Sequence, residues 1–152
     1  MVRTTEHQIN KYQRLDETKQ LILQVLSVVY TPISQSTLQQ ILQLISFAAC
    51  QRSELAKLMA KPLREQLIKD RLMVQKDGLF CHSTIVERLT QDAIKGGNFS
   101  SICKAIAAVL PDPSQTKSHW GYLSYSEKDY NDYRLRTARI YAYSKKEKQL
   151  FQ

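Results

Sequence analysis

Glycine and proline are scarce in this chain, each occurring four times in 152 residues. Gly96 and Gly97 are the one adjacent glycine pair, and neither G-x-G-x-x-G nor G-x-x-x-x-G-K-[ST] can be written anywhere, so a glycine-rich phosphate loop is excluded. Cysteine is scarcer still. Cys50, Cys81 and Cys103 are widely spaced with no C-x-x-C pair, so neither a zinc ribbon nor a secreted disulfide framework is expected. No stretch approaches the length of an apolar membrane span, and residues 1–14 are polar without the apolar core of a leader. These absences point to a cytoplasmic protein in a reducing compartment, with no cofactor and no membrane partner.

Catalytic and metal chemistry is also thinly represented. His82 adjoins Cys81, but neighbouring strand residues face opposite sides and no second pair stands at ligand spacing, so a packed or hydrogen-bonded histidine is expected rather than a metal site. The cysteines fall at helix-core or strand positions, where buried thiols are inert. No enzymatic activity and no catalytic residue are expected.

What the chain has in excess is positive charge. Lys and Arg total 22 against 14 for Asp and Glu, a formal net charge of +8, which suits polyanionic partners and nucleic acid first among them. The competing reading is a merely soluble basic surface. The length is sufficient to bury a core without disulfide or metal staples.

Helical periodicity begins at Leu15. Leu15, Thr18, Ile22, Val25, Leu26 and Val29 recur at three- and four-residue steps, predicting a helix with one apolar face that stops at Tyr30-Thr31-Pro32. Ser34 caps a second helix with Leu38, Ile41, Leu42 and Ile45 along its inner stripe. A third is expected over 54–70 after a Ser53 cap, kinked at Pro62 or restarted with Pro62 in its first turn. Leu72-Met73-Val74-Gln75, Lys76-Asp77-Gly78 and Leu79-Phe80-Cys81-His82 then read as a β-hairpin. A three-residue loop ending in left-handed Gly78 pairs Val74 with Phe80 and gathers the larger apolar residues on one face, and is preferred to a two-residue loop pairing Val74 with Cys81. A fourth helix is expected from a Thr84–Glu87 capping box to Gly96-Gly97, and a fifth over Phe99–Val109.

The resulting fold class is mostly α: a winged helix-turn-helix of three helices plus a β-hairpin, followed by additional helices. Residues 1–14 form a polar arm, 15–110 the winged-helix-like domain, 111–125 a linker, and 126–152 a tail helix that starts the next unit of a longer protein. The candidate DNA-binding residues are Lys57, Lys61, Arg64, Lys69 and Lys76, spaced to follow phosphates along the third helix and hairpin, with Arg64 the candidate for a base edge. Glu65 beside Arg64 opposes this, and a charge run is often only a solvated face. In the tail, tyrosines interleave with arginines and lysines. Base stacking is one reading. The favoured one has the tyrosines packing half-buried on earlier helices while the arginines stay in solvent.

The stretches Leu26-Ser27-Val28-Val29-Tyr30-Thr31-Pro32-Ile33-Ser34, Lys61-Pro62-Leu63-Arg64-Glu65-Gln66-Leu67, Leu72-Met73-Val74-Gln75 and Gly97-Asn98-Phe99 resemble the amino-terminal winged-helix-like region of bacterial Swi/Snf-type helicase-like ATPases. Arg134-Leu135-Arg136-Thr137-Ala138-Arg139-Ile140-Tyr141 looks like the opening of the helical region that follows it there. The resemblance implies a non-catalytic module beside a DNA-translocating motor, with DNA and the downstream ATPase domains of the same polypeptide as partners. It carries over no active-site residue, since none of the motor's nucleotide-binding motifs is present. A protein-docking module using the same surface is the alternative, and a homodimer through the tail helix is a further expected partnership.

Overall fold

A computed structural model of the chain describes residues 2–45, 61–111, 113 and 127–150. Among the described residues are seven helices, α1 (Val2–Gln13), α2 (Glu17–Val29), α3 (Gln35–Leu44), α4 (Lys61–Lys69), α5 (Val86–Lys95), α6 (Phe99–Val109) and α7 (Glu127–Leu150). One antiparallel pair, β1 (Met73–Gln75) and β2 (Leu79–Cys81), lies between α4 and α5. The expected mostly helical class with a hairpin is what this chain forms.

At the centre is α2. Asp16 caps it, its carboxylate accepting from Lys19 N–H at 2.9 Å. Every residue from Leu21 to Val29 is buried, so the helix is enclosed on all sides rather than along the one face its periodicity suggested. α3, α5, α6, α7 and β2 all pack on it. Each fully buried Ile or Leu there contributes about 1.5–3 kcal/mol. The polar members of the ring are satisfied internally: Ser27 Oγ donates to the Gln24 carbonyl at 2.7 Å and lies 3.2 Å from Thr90 Oγ1 of α5.

The end of α2 is abrupt. Thr31 N–H donates to the Val29 carbonyl at 2.8 Å around Tyr30, whose φ of 69° makes this a strained three-residue turn. Pro32 follows, and Ile33 pairs with Leu79 of β2 through two backbone bonds of 3.0 and 2.7 Å. Ser34 then caps α3 through Thr37 N–H at 3.1 Å.

In the hairpin Met73 pairs with Cys81, Val74 with Phe80 and Gln75 with Leu79. The three-residue loop 76–78 follows, with Asp77 at φ 57° and Gly78 at φ 129°. The buried face, however, holds Met73, Leu79 and Cys81, while Val74 and Phe80 are only half-buried. Leu79 is committed to that side by its pairing with Ile33, which overrides the count of large apolar groups.

Three other expectations change. Residues of the polar arm form helix α1, docked by polar ties: Gln8 Nε2 donates to the Arg71 carbonyl at 2.6 Å, Lys11 pairs with Asp70 at 3.2 Å, and buried Tyr12 accepts from Gln24 Nε2 at 2.8 Å. The Thr84–Glu87 capping box does not form, because Thr84 Oγ1 instead donates to Gln8 Oε1 at 2.9 Å, and Ile85 precedes α5 with no side-chain cap. In α7 the arginines divide: Arg134 stays exposed as expected, but Arg139 is half-buried and Arg136 buried, alongside half-buried Tyr130 and Tyr133. Arg136 is 6% exposed and donates to Thr31 Oγ1 at 3.1 Å; Arg139 donates to the Ser27 carbonyl at 2.9 Å and lies 4.2 Å over the Tyr30 ring; Tyr141 is 63% exposed. The Arg139 guanidinium reaches one of the last carbonyls of α2 and Arg136 the Thr31 hydroxyl just beyond it, an anchorage unavailable to tyrosine. Of the tyrosines described in α7, Tyr143 alone is buried, its ring 6.4 Å from Phe99 of α6.

Two outcomes test this architecture. A Cβ at Gly78 would stand 3.0 Å from both Ile33 N and Ile33 O, whereas one at Gly97, also at positive φ, meets nothing within 4 Å. Gly97→Ala should therefore cost about 1 kcal/mol, for backbone strain alone, and Gly78→Ala clearly more in urea unfolding. Equal losses would mean that the Ile33 contact does not constrain the hairpin. Arg139→Ala should lose about 1–3 kcal/mol, and Arg139→Lys should restore little, since an ammonium lacks the planar fork that caps and stacks together; full rescue by lysine would reduce the contact to charge alone.

Candidate nucleic-acid interface

α4 leans on β1, so the short helix and the hairpin present one continuous edge. Pro62 sits in the first turn of α4, where its missing N–H costs nothing. Leu67 is buried, Leu63 and Ile68 pack partly against the core, and Lys61, Pro62, Glu65, Gln66 and Lys69 are exposed. Arg71, at φ 59°, closes the helix in left-handed geometry, with Leu72 N–H donating to the Leu67 carbonyl at 3.0 Å.

The candidate cations divide on this edge. Lys61 is exposed and faces Glu65 at 3.8 Å, an i,i+4 pair between two solvent-exposed side chains that holds it weakly. Lys69 and Lys76 are exposed, and no ion pair involves either among the described residues. Lys57, like the expected helix over 54–60, lies outside the described residues. Arg64 does not behave as a free reader of bases: it is half-buried and its Nη1 donates to Gln35 Oε1 at the start of α3. That bond fastens α4 to α3. Reaching a base edge would break it, so the residue is a structural clamp here. Arg71, part of the same basic run in sequence but not among the candidate contacts, is exposed at the junction of helix and hairpin; its left-handed backbone was the feature hidden in sequence.

Of the nucleophile and metal candidates described, Cys81 is buried, while Cys103 and His82 are half-buried. Burial pushes the Cys81 thiol up to about 12, opposed in part by Arg139; the reactive thiolate is thus suppressed at neutral pH. His82 Nδ1 lies 2.8 Å from Thr84 Oγ1, the hydrogen-bonded histidine the sequence predicts. Among the described residues no group of three or more His, Cys, Asp or Glu side chains is placed to hold a metal. No helix among them is long and apolar enough to cross a membrane. No family model, curated protein or solved structure matches the chain.

The raised Cys81 value has a consequence for stability. A thiol that ionises near 12 folded and at its ordinary 9.0 unfolded favours the folded state fully below pH 9, and loses that contribution as pH rises toward 12. Burial also raises the Tyr12 phenol above 10.0, against the Gln24 hydrogen bond that lowers it, so its loss begins one pH unit later. Unfolding free energy measured between pH 8 and 10 should fall in the parent and stay nearly flat in Cys81→Ala; an identical slope in the two proteins would show that Cys81 ionises as readily folded as unfolded.

Proposed function

We propose that this chain is a winged-helix module, the non-catalytic front end of a larger DNA-translocating, Swi/Snf-type ATPase, and that it grips DNA by phosphates rather than by base edges. The observation that carries the reading is the Ile33–Leu79 pair. It inserts a strand residue between α2 and α3 and joins it to the hairpin that follows α4. Helix, strand residue, helix, helix and hairpin is the winged-helix order, in which the third helix and the wing face nucleic acid together.

Lys61, Lys69 and Lys76 supply the phosphate contacts, joined by Arg71. With Arg64 engaged by Gln35, the one exposed guanidinium described on this edge is Arg71, and a single fork reads one guanine at most. Binding is accordingly non-specific or weakly specific. The docking alternative draws on Val74 and Phe80, a half-buried apolar pair on the face of the hairpin opposite the core.

Fluorescence anisotropy with unrelated duplexes should give affinities of about micromolar or weaker, nearly independent of sequence, with a log–log salt slope of about −3. Replacing Lys61, Lys69 and Lys76 together by alanine should abolish most of that slope. Arg64→Ala should leave the slope unchanged and lower thermal stability instead. Salt-indifferent binding, or a slope untouched by the triple substitution, would overturn the DNA reading; Val74 and Phe80 would then be the residues to test in protein capture.

A further inference from the structure

Helix α1 supplies none of the candidate phosphate contacts, yet its side chains close on the place where α4 turns into the hairpin. Two ties meet there, and each acts on a different property of the DNA-facing edge.

The first concerns charge. Lys69 and Arg71 are both exposed, and Asp70 stands between them. Consecutive Cα atoms are about 3.8 Å apart, well inside the roughly 10 Å over which charges stay coupled at about 0.1 M salt. A bare carboxylate at Asp70 therefore opposes any phosphate that approaches either neighbour. Lys11 Nζ lies 3.2 Å from Asp70 Oδ1, which also accepts from Gln66 Nε2 at 3.0 Å. Of the Asp70 side chain 18% is exposed, against 63% for Glu65 in its looser pair with Lys61. The carboxylate set between the two cations is thus the better neutralised of the two.

The second concerns geometry. Gln8 is 2% exposed. Its Nε2 donates to the Arg71 carbonyl at 2.6 Å, and its Oε1 accepts from Thr84 Oγ1 at 2.9 Å. A backbone carbonyl can only accept, so the Gln8 amide has a single possible orientation. Arg71 lies just before β1 and Thr84 just after β2. One buried side chain therefore ties both feet of the hairpin, and does so at a residue whose φ of 59° is left-handed without being glycine.

We propose that α1 is part of the nucleic-acid-binding unit, with Lys11 and Gln8 as positioning residues: Lys11 neutralises Asp70 between two phosphate-binding cations, and Gln8 fixes the feet of the hairpin from which Arg71 and Lys76 reach DNA. Neither touches a phosphate itself. The inference rests on the DNA reading given above.

Fluorescence anisotropy of the full chain with a single duplex at fixed salt tests the charge arm. Lys11→Ala should weaken binding at least about threefold, and Lys11→Ala combined with Asp70→Asn should return to within about twofold of the parent. Lys104→Ala, an equal change of net charge at an exposed site on α6, should weaken it less. Gln8→Met, neutral and of similar length, should speed hydrogen exchange at Leu72 and His82, whose N–H groups donate to the Leu67 and Leu72 carbonyls, and lower affinity with it. A double variant as weak as Lys11→Ala would make Lys11 a phosphate contact, and an equal loss in Lys104→Ala would reduce the effect to net charge; either result overturns the proposal. So does faster exchange in Gln8→Met with affinity unchanged. A parent chain that binds no duplex overturns the proposed function and this inference together, whereas a parent that binds while Lys11→Ala binds equally well overturns the inference alone. Lys11 and Lys104 are partly or fully exposed, so their comparison decides the matter even where Gln8→Met fails to fold.

Discussion

The structure depends on where α2 ends. Pro32 cannot donate to a helical carbonyl and restricts the residue before it, so the chain must leave the helix within a turn of Val29. It does so through Tyr30 at positive φ, a conformation costing on the order of 1–3 kcal/mol for a residue of this bulk. The surroundings hold that strain in place. Arg139 covers the Tyr30 ring and takes the Ser27 carbonyl, one of the orphan acceptors of a helix end. Three residues past Tyr30, Ile33 is positioned to pair with Leu79, and α3, the hairpin and α7 are all located by this one exit.

Elements were legible in the sequence wherever a local pattern and the final burial agree. α6 runs over Phe99–Val109 as its apolar spacing predicts, and α3 begins after Ser34, because both elements bury a single stripe. The hairpin loop was legible for the same reason, since glycine at Gly78 answers a local backbone demand. Its buried face was not, because the choice rests with Ile33, more than forty residues away in sequence. α1 escaped notice because polar side chains hold it: Gln8, Lys11 and Tyr12 bond to residues that periodicity cannot point to. Amphipathic spacing likewise understated α2, whose far side is buried by the later helices.

Charge was the least transferable part of the reading. A formal +8 invites a polyanion, yet several cations are consumed inside the fold. Arg64 clamps α4 to α3, Lys11 binds Asp70, and Arg136 is buried against Thr31, its guanidinium lowered by burial with Asp132 and Tyr133 pushing it back up. Arginine chosen for such places brings several donors on one rigid plane, which a helix end with unpaired carbonyls can use. The sequence shows the number of cations and not their partners. The residues left for phosphate are therefore Arg71 and the lysines, and the flexible, strongly hydrated ammonium groups of the lysines suit point contacts rather than base readout.

The same arithmetic governs the tail. A helix whose exposed face carries Leu135 and Tyr141 and whose inner face is anchored by two arginines is not attached as an ordinary core helix is. Its contacts are directional: Arg136 needs Thr31 Oγ1, and Arg139 needs both a carbonyl and a ring. Such contacts weaken steeply when geometry shifts, whereas apolar burial falls off only with area. Thr31 and Ile33 flank Pro32 on a single short segment, so the groups that hold α7 and the pair that holds the hairpin share one piece of backbone. Pro32 stiffens that piece by fixing its own φ. The tail and the hairpin are thereby held to a common reference, and the position of one constrains the position of the other without any direct contact between them being required.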